Sequence, residues 1–318
     1  MSIPRTLTLF AAGVITLAAQ QGTVGGPISG YAFDGRARTL RTIRGIPGAS
    51  LVGEPVDVGS PLSAAWVSPN LDSALIVTAD GTARFYRLDG GKATQRSIDG
   101  LAAPDRALFS PSGSALALFS DSAVRIYRGL PDAPTVAGTL ELPAQTRTAG
   151  GGLALTRSRH PATNPAALSD DGRYLLYGNG DAVELLGVAG DSRRLTRAGA
   201  SAQLAFAAGG HDAAVIEAQG VTLFQDASGA ATVRRLPGIT GARAAGFSND
   251  GKKLYLAGDT VTVLDLASGE RTDIACDCRP VGLSRMGGTF RLNEIGSGPL
   301  WLLDVSGTPA VLFVPAAN

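Results

Sequence analysis

From about residue 61 onward one arrangement recurs: a short apolar run, a polar turn carrying Gly or Asp, and a second apolar run. It is clearest at Phe109-Ser-Pro-Ser-Gly-Ser-Ala-Leu-Ala-Leu118, at Leu168-Ser-Asp-Asp-Gly-Arg-Tyr-Leu-Leu-Tyr177 and at Phe247-Ser-Asn-Asp-Gly-Lys-Lys-Leu-Tyr-Leu256. Looser copies run from Val67 to Ile76, from Phe206 to Ile216 and from Leu283 to Leu292. Asp-Gly and Asn-Asp-Gly supply the positive-φ positions of a tight reversal, so each copy predicts a β-hairpin. A third strand follows each hairpin, at Ala83–Leu88, Ala123–Tyr127, Ala182–Leu186, Val221–Phe224, Val261–Leu266 and Leu300–Asp304. A fourth, weaker run comes after several of these, as at Thr232–Leu236 and Ala310–Val314. Helical periodicity is nearly absent beyond the first twenty residues, which predicts an all-β chain.

The spacing sets the architecture. Turn glycines at Gly172, Gly210, Gly251 and Gly288 lie 38, 41 and 37 residues apart. Four strands at a period near 40 residues match one blade of a β-propeller. Between Gly113 and Gly172 the gap is 59 residues, and the excess falls at about 145–164, read as an inserted loop. A partial unit precedes the six repeats, at Ile28–Asp34 and Leu40–Ile43, and its pattern matches a third and fourth strand only. Six full repeats plus this fragment predict seven blades, with six as the alternative. Pairing of the first and last blades across the chain ends would remove exposed sheet edges.

In these turns the chain resembles the bacterial WD40-like propellers, including the TolB-type and YVTN-type repeats. Their strand-turn-strand pattern reads aromatic-Ser-Pro-Asp-Gly-Lys-x-Leu. Phe109-Ser-Pro-Ser-Gly and Phe247-Ser-Asn-Asp-Gly-Lys match it well, and Leu168-Ser-Asp-Asp-Gly-Arg acceptably. The Trp-Asp dipeptide of the eukaryotic repeats is missing, since Trp66 precedes Val and Trp301 precedes Leu. The resemblance covers roughly residues 61–318. It implies architecture and says almost nothing about activity, because one fold hosts many functions.

Composition and the N-terminus bear on address. Arg5 and the uncharged stretch Leu7–Ala19 read as a signal peptide over residues 1–20, cleaved near Ala18-Ala19. Thirteen helical residues rise only about 20 Å, short of a bilayer's ~30 Å hydrocarbon core. The expected product is one propeller domain over 26–318, a monomer exported to the periplasm or beyond, with no membrane span. Forty-two glycines and 18 prolines punctuate many turns, and a net charge of +1 with scattered arginines excludes a nucleic-acid stripe.

Candidate chemistry is sparse. Cys276 and Cys278 are the two cysteines. In an oxidising space they would form a local disulfide; a redox dithiol and a soft-metal site with Met286 nearby are the other readings. His160 and His211 cannot form a His-rich zinc site, and no Gly-x-Ser-x-Gly elbow accompanies them. The Asp-rich turns lack the length and Glu of a calcium loop. No cofactor is implied. Within the inserted loop, Arg147, Arg157, Arg159 and His160 are the candidate ligand-binding residues, suited to an anionic group. The expected function is a non-enzymatic exported scaffold for an unidentified protein or macromolecular partner. The alternative is a propeller hydrolase of the lactonase kind, which would gather carboxylates and histidines from several blades at one end of the channel.

Overall fold

A computed structural model describes residues 26–143, 164–180, 182–197, 202–217, 220–296 and 298–315. Blade 1 contains β1 (Ile28–Asp34), β2 (Thr39–Ile46) and β3 (Ala49–Pro55). Blade 2 contains β4 (Leu62–Val67), β5 (Ser73–Thr78), β6 (Ala83–Asp89) and β7 (Lys92–Arg96). Blade 3 contains β8 (Arg106–Phe109), β9 (Ala115–Ser120), β10 (Ala123–Arg128) and β11 (Thr135–Glu141). Blade 4 contains β12 (Ala166–Leu168), β13 (Tyr174–Gly178), β14 (Ala182–Gly187) and β15 (Ser192–Arg197). Blade 5 contains β16 (Gln203–Phe206), β17 (Ala213–Glu217), β18 (Gly220–Gln225) and β19 (Thr232–Pro237). Blade 6 contains β20 (Ala244–Phe247), β21 (Lys253–Ala257), β22 (Val261–Asp265) and β23 (Arg271–Ile274). Blade 7 contains β24 (Ser284–Met286), β25 (Thr289–Arg291), β26 (Leu300–Asp304) and β27 (Ala310–Val314). Each blade is its own antiparallel meander, innermost strand first, and the seven form a ring. The chain is a seven-bladed β-propeller.

The second strand of a blade is apolar almost throughout because both its faces are buried. On β5 every residue from Ser73 to Thr78 is buried. On β13 the alternation of a strand divides the work: Leu175 and Tyr177 pack toward blade 3, and Leu176 packs toward blade 5. Each blade boundary around the ring has its own apolar cluster, from the blade 1–2 core around Tyr31, Leu62 and Ile76 to the blade 7–1 core around Ala32, Ile43 and Leu302. No single centre exists. Stability is distributed over interfaces between neighbours, as in other repeat architectures.

The first blade departs from expectation. Ile28–Asp34 is not a third strand but the innermost, and the 40–43 segment belongs to the second. Tyr31, Ala32, Leu40 and Ile43 are buried because this sheet is sandwiched between blades 7 and 2, an environment a partial repeat does not reveal. Nor do the first and last blades pair across the chain ends among the described residues; each is a separate sheet. The ring closes instead by side-chain packing, with Met286 seated against Ile43 and the bare Gly30, where a Cβ would lie 3.0 Å from its Sδ. The Gly287 N–H also donates to the Pro69 carbonyl at 2.7 Å, linking the turns of blades 7 and 2.

Turn chemistry locks each hairpin and ties it to the next. In blade 4, Ser169 Oγ donates to Asp171 Oδ1 at 2.7 Å and accepts the Tyr174 N–H at 3.0 Å. Ser248 and Asp250 repeat the device in blade 6. Asp170 reaches both ways: it accepts the Ser112 N–H of blade 3 and the Gly209 N–H of blade 5, each at 2.7 Å. The Asp and Ser of the repeat are therefore structural.

Asp34 does similar work in the β1–β2 turn. Its carboxylate accepts the Ala37 N–H at 2.9 Å, the Arg36 N–H at 3.1 Å and Arg41 Nε at 2.9 Å. The Ala37 bond is the main cause of a carboxyl held below its usual range; burial opposes it and Arg41 lowers it further. A carboxyl whose folded pKa is depressed contributes stability that is full above its unfolded pKa, about 4, and lost as pH falls through the folded value. Asp34→Asn should therefore be less stable than the parent at about pH 7, with the gap closing toward about pH 2. Denaturant midpoints across that range test this; a gap independent of pH would refute it.

Candidate functional site

The central channel opens into a cavity of about 360 Å³ near the last residues of the inner strands. The repeat explains its lining. The residue before each motif Ser, or its equivalent, is Val67, Phe109, Leu168, Phe206, Phe247 or Met286, and the preceding position is Trp66, Leu108, Ala167, Ala205, Gly246 or Arg285. Six blades thus deliver apolar or small groups to one mouth, and Phe33 of blade 1 joins them. Ser110 and Ser248 add hydroxyls at the rim.

Among the described residues charge enters the lining through Arg285 and Arg291, both from blade 7. Arg285 is engaged locally: it donates to Asn249 Oδ1 at 2.7 Å and to the Phe247 carbonyl, with its guanidinium 4.4 Å from the Phe290 ring centroid. Burial pushes its pKa down, and it bolts blade 6 to blade 7. Arg291 pairs with Glu294 at 2.7 Å. No Asp, Glu or His lines the mouth among the described residues. Among the described lining residues the groups that titrate are the Tyr31 phenol and the two arginines.

Arg147, Arg157, Arg159 and His160 lie outside the described residues. The end of that segment is described: buried Asn164 donates to the Tyr177 hydroxyl at 2.6 Å, and its carbonyl accepts Arg106 Nη1 at 2.5 Å. Cys276 and Cys278 are bonded to each other, with Cα atoms 5.1 Å apart, against the blade 6–7 core. Met286 packs on the opposite face of blade 7, in the blade 7–1 core, so the three sulfurs do not converge. Among the described residues no three of His, Cys, Asp and Glu cluster to hold a metal ion, and no helix is long and apolar enough to cross a membrane.

The fold does assemble one group that the sequence left scattered. His211 Nε2 lies 3.1 Å from Asp171 Oδ2, and its Nδ1 lies 2.7 Å from Ser228 Oγ. The imidazole edge also meets Tyr174, centroid to centroid 5.0 Å. Ser, His and Asp in series suggest a nucleophilic relay. However, Ser228 Oγ also donates to Asp226 Oδ1 at 2.8 Å, so its single proton reaches Nδ1 only if that bond is given up. The array joins blade 4 to blade 5 outside the channel lining. Its sequence signal was that His211 occupies the place of Lys252 in the repeat, facing the preceding blade's turn.

No family model matches the sequence, and no curated protein is significantly similar to it. Solved structures do share its fold. One is a protein of unknown function from Desulfotomaculum acetoxidans DSM 771, with a TM-score of 0.55 at 11% identity, covering 91% of this chain and 99% of that one. Another is a proposed 6-phosphogluconolactonase from Bacteroides fragilis NCTC 9343, with a TM-score of 0.57 at 15% identity, covering 91% of this chain and 94% of that one. At such identities the likeness is one of architecture alone.

Proposed function

We propose that the chain is an exported, non-enzymatic propeller of the bacterial WD40-like kind, presenting the mouth of its channel to a protein or other macromolecular partner. The observation that carries this reading is the lining: Trp66, Phe109 and their equivalents from six blades, with the charges among the described residues drawn from blade 7. An apolar, aromatic concavity is suited to anchoring a side chain of a partner. It is poorly suited to proton transfer. The sequence between blades 3 and 4 also carries Arg147, Arg157, Arg159 and His160, outside the described residues, and that composition is suited to an anionic group on the partner.

The test is affinity capture from a periplasmic or culture extract with the purified chain and with Trp66→Ala. A specific partner should bind the parent and be weakened at least tenfold by the substitution, with thermal unfolding used to verify the fold. In parallel, 6-phosphogluconolactone should be hydrolysed no faster than it is spontaneously, and an organophosphorus serine probe should not label Ser228. Turnover of the lactone, or labelling of Ser228 that His211→Ala abolishes, would replace the scaffold reading with an enzymatic one.

A further inference from the structure

The rim of the ring is uneven. In blades 2 to 6 the outermost strands β7, β11, β15, β19 and β23 each carry at least one Arg, Lys, Asp or Glu. β27 of blade 7 carries none. Beside it, blade 1 stops at three strands among the described residues, so β3 presents the hydrogen-bonding edge that a fourth strand covers in every other blade. Such an edge is a template for another strand, and proteins usually guard it with charge, proline or a bulge. Here Glu54, Pro55 and a bulge guard only the far end, and Ala49 to Gly53 hold no charge and no proline.

Apolar side chains gather at the same place. Ile46 and Leu51 are each 62% exposed and Phe313 is 59% exposed; the other large hydrophobic side chains exposed among the described residues, Val136, Val233 and Val281, stand singly on other parts of the ring. A shallow groove runs between Ala49 and Leu51 on one side and Val311 and Phe313 on the other. Contiguous apolar surface beside an open edge marks an association site rather than ordinary surface scatter.

We infer that this seam between blades 1 and 7 is where two copies of the chain associate, β3 pairing antiparallel with β3 of the second copy about a twofold axis. Charge selects the occupant. The arginines of β15 and β19 would repel their own copies, whereas the strip from Ala49 to Gly53 meets itself without like charges in opposition. With the axis at Leu51 or at Val52, Glu54 faces Gly48 or Ser50 and never Glu54. The contact uses the same patch on both copies, so it closes as a dimer and does not propagate. The exposed faces of Leu51 and of Phe313, whose ring also meets Trp301 at 6.0 Å between centroids, then lose water together. On this inference the chain is a dimer where the sequence reading expects a monomer.

Sedimentation equilibrium on the purified full chain tests it. A monomer–dimer equilibrium in the micromolar range is expected, and Leu51→Lys and Phe313→Lys should each weaken it at least tenfold. Leu51 is exposed, so Leu51→Lys should leave the thermal midpoint unchanged when both proteins are dilute enough to be monomeric. Val233→Lys, on the arginine-bearing strand β19, should leave dimerisation unaltered. A chain that stays monomeric to about 100 µM overturns the inference, as does a dimer indifferent to both seam substitutions. A monomer that co-purifies with a foreign peptide removed by Leu51→Lys assigns the edge to another occupant and overturns it as well.

Discussion

Replacing Phe119 by alanine is expected to destabilise the protein by about 3–5 kcal/mol, the largest effect of any single side-chain truncation considered. Phe119 on β9 is fully buried in the core between blades 3 and 4, beside Val124, Ala166 and Tyr177. Its ring also supports Arg106, whose guanidinium carbon sits 5.2 Å from the centroid and whose pKa is lowered by burial. Truncation removes packed surface, leaves a cavity whose walls are held by two sheets, and takes a π-face from a buried cation. Phe119→Leu keeps most of the volume and should lose roughly half as much or less. Denaturant unfolding of the three proteins would show the ordering. A loss below about 1 kcal/mol for the alanine variant would mean that the blade 3–4 interface contributes little to the cooperative unit.

The second large effect contrasts two glycines at the same place in the repeat. Gly113 and Gly251 both end the Ser-x-x-Gly turn with positive φ, +75° and +68°. A Cβ at Gly251 meets only the Ala207 Cβ at 4.0 Å, so Gly251→Ala should lose about 1 kcal/mol to backbone strain. A Cβ at Gly113 would lie 2.1 Å from Ser68 Oγ and 3.3 Å from Ser68 Cβ, on a serine that is itself fully buried. Yielding would also disturb the neighbouring bond from Asn70 Nδ2 to the Ser112 carbonyl, 2.7 Å long, which ties blade 2 to blade 3. Strain and overpacking together predict a loss of about 2–4 kcal/mol for Gly113→Ala. Equal losses at the two sites would show that conformation alone decides these turns and that contact between blades does not.

How far each feature could be read from the chain follows from the range of the interaction behind it. The hairpin at Phe247 to Leu256 was legible because Asn-Asp-Gly dictates a reversal within a few residues and the flanking apolar runs dictate two strands. The third strands were legible by the same local rule. The place of Ile28–Asp34 was misread because inner and outer strands differ in what lies beyond them, and that is a neighbouring blade. The channel mouth was not placed from the sequence, because which inner-strand ends converge depends on how the blades close the ring. Its composition became meaningful only when Arg285 proved to be drawn back onto Phe290 and Asn249.

By itself the amino-acid order determined an all-β chain of repeating four-stranded units near 40 residues long, because turn chemistry and side-chain alternation act over a few positions. Tertiary structure decided how many units close the ring, which strand of blade 1 lies innermost, and that β3 has no fourth strand beside it among the described residues. It also decided that His211 meets Asp171, 40 positions away. These outcomes depend on sheets packing face to face around a circle. That packing sums contacts between residues far apart in the chain, and no local pattern encodes the sum.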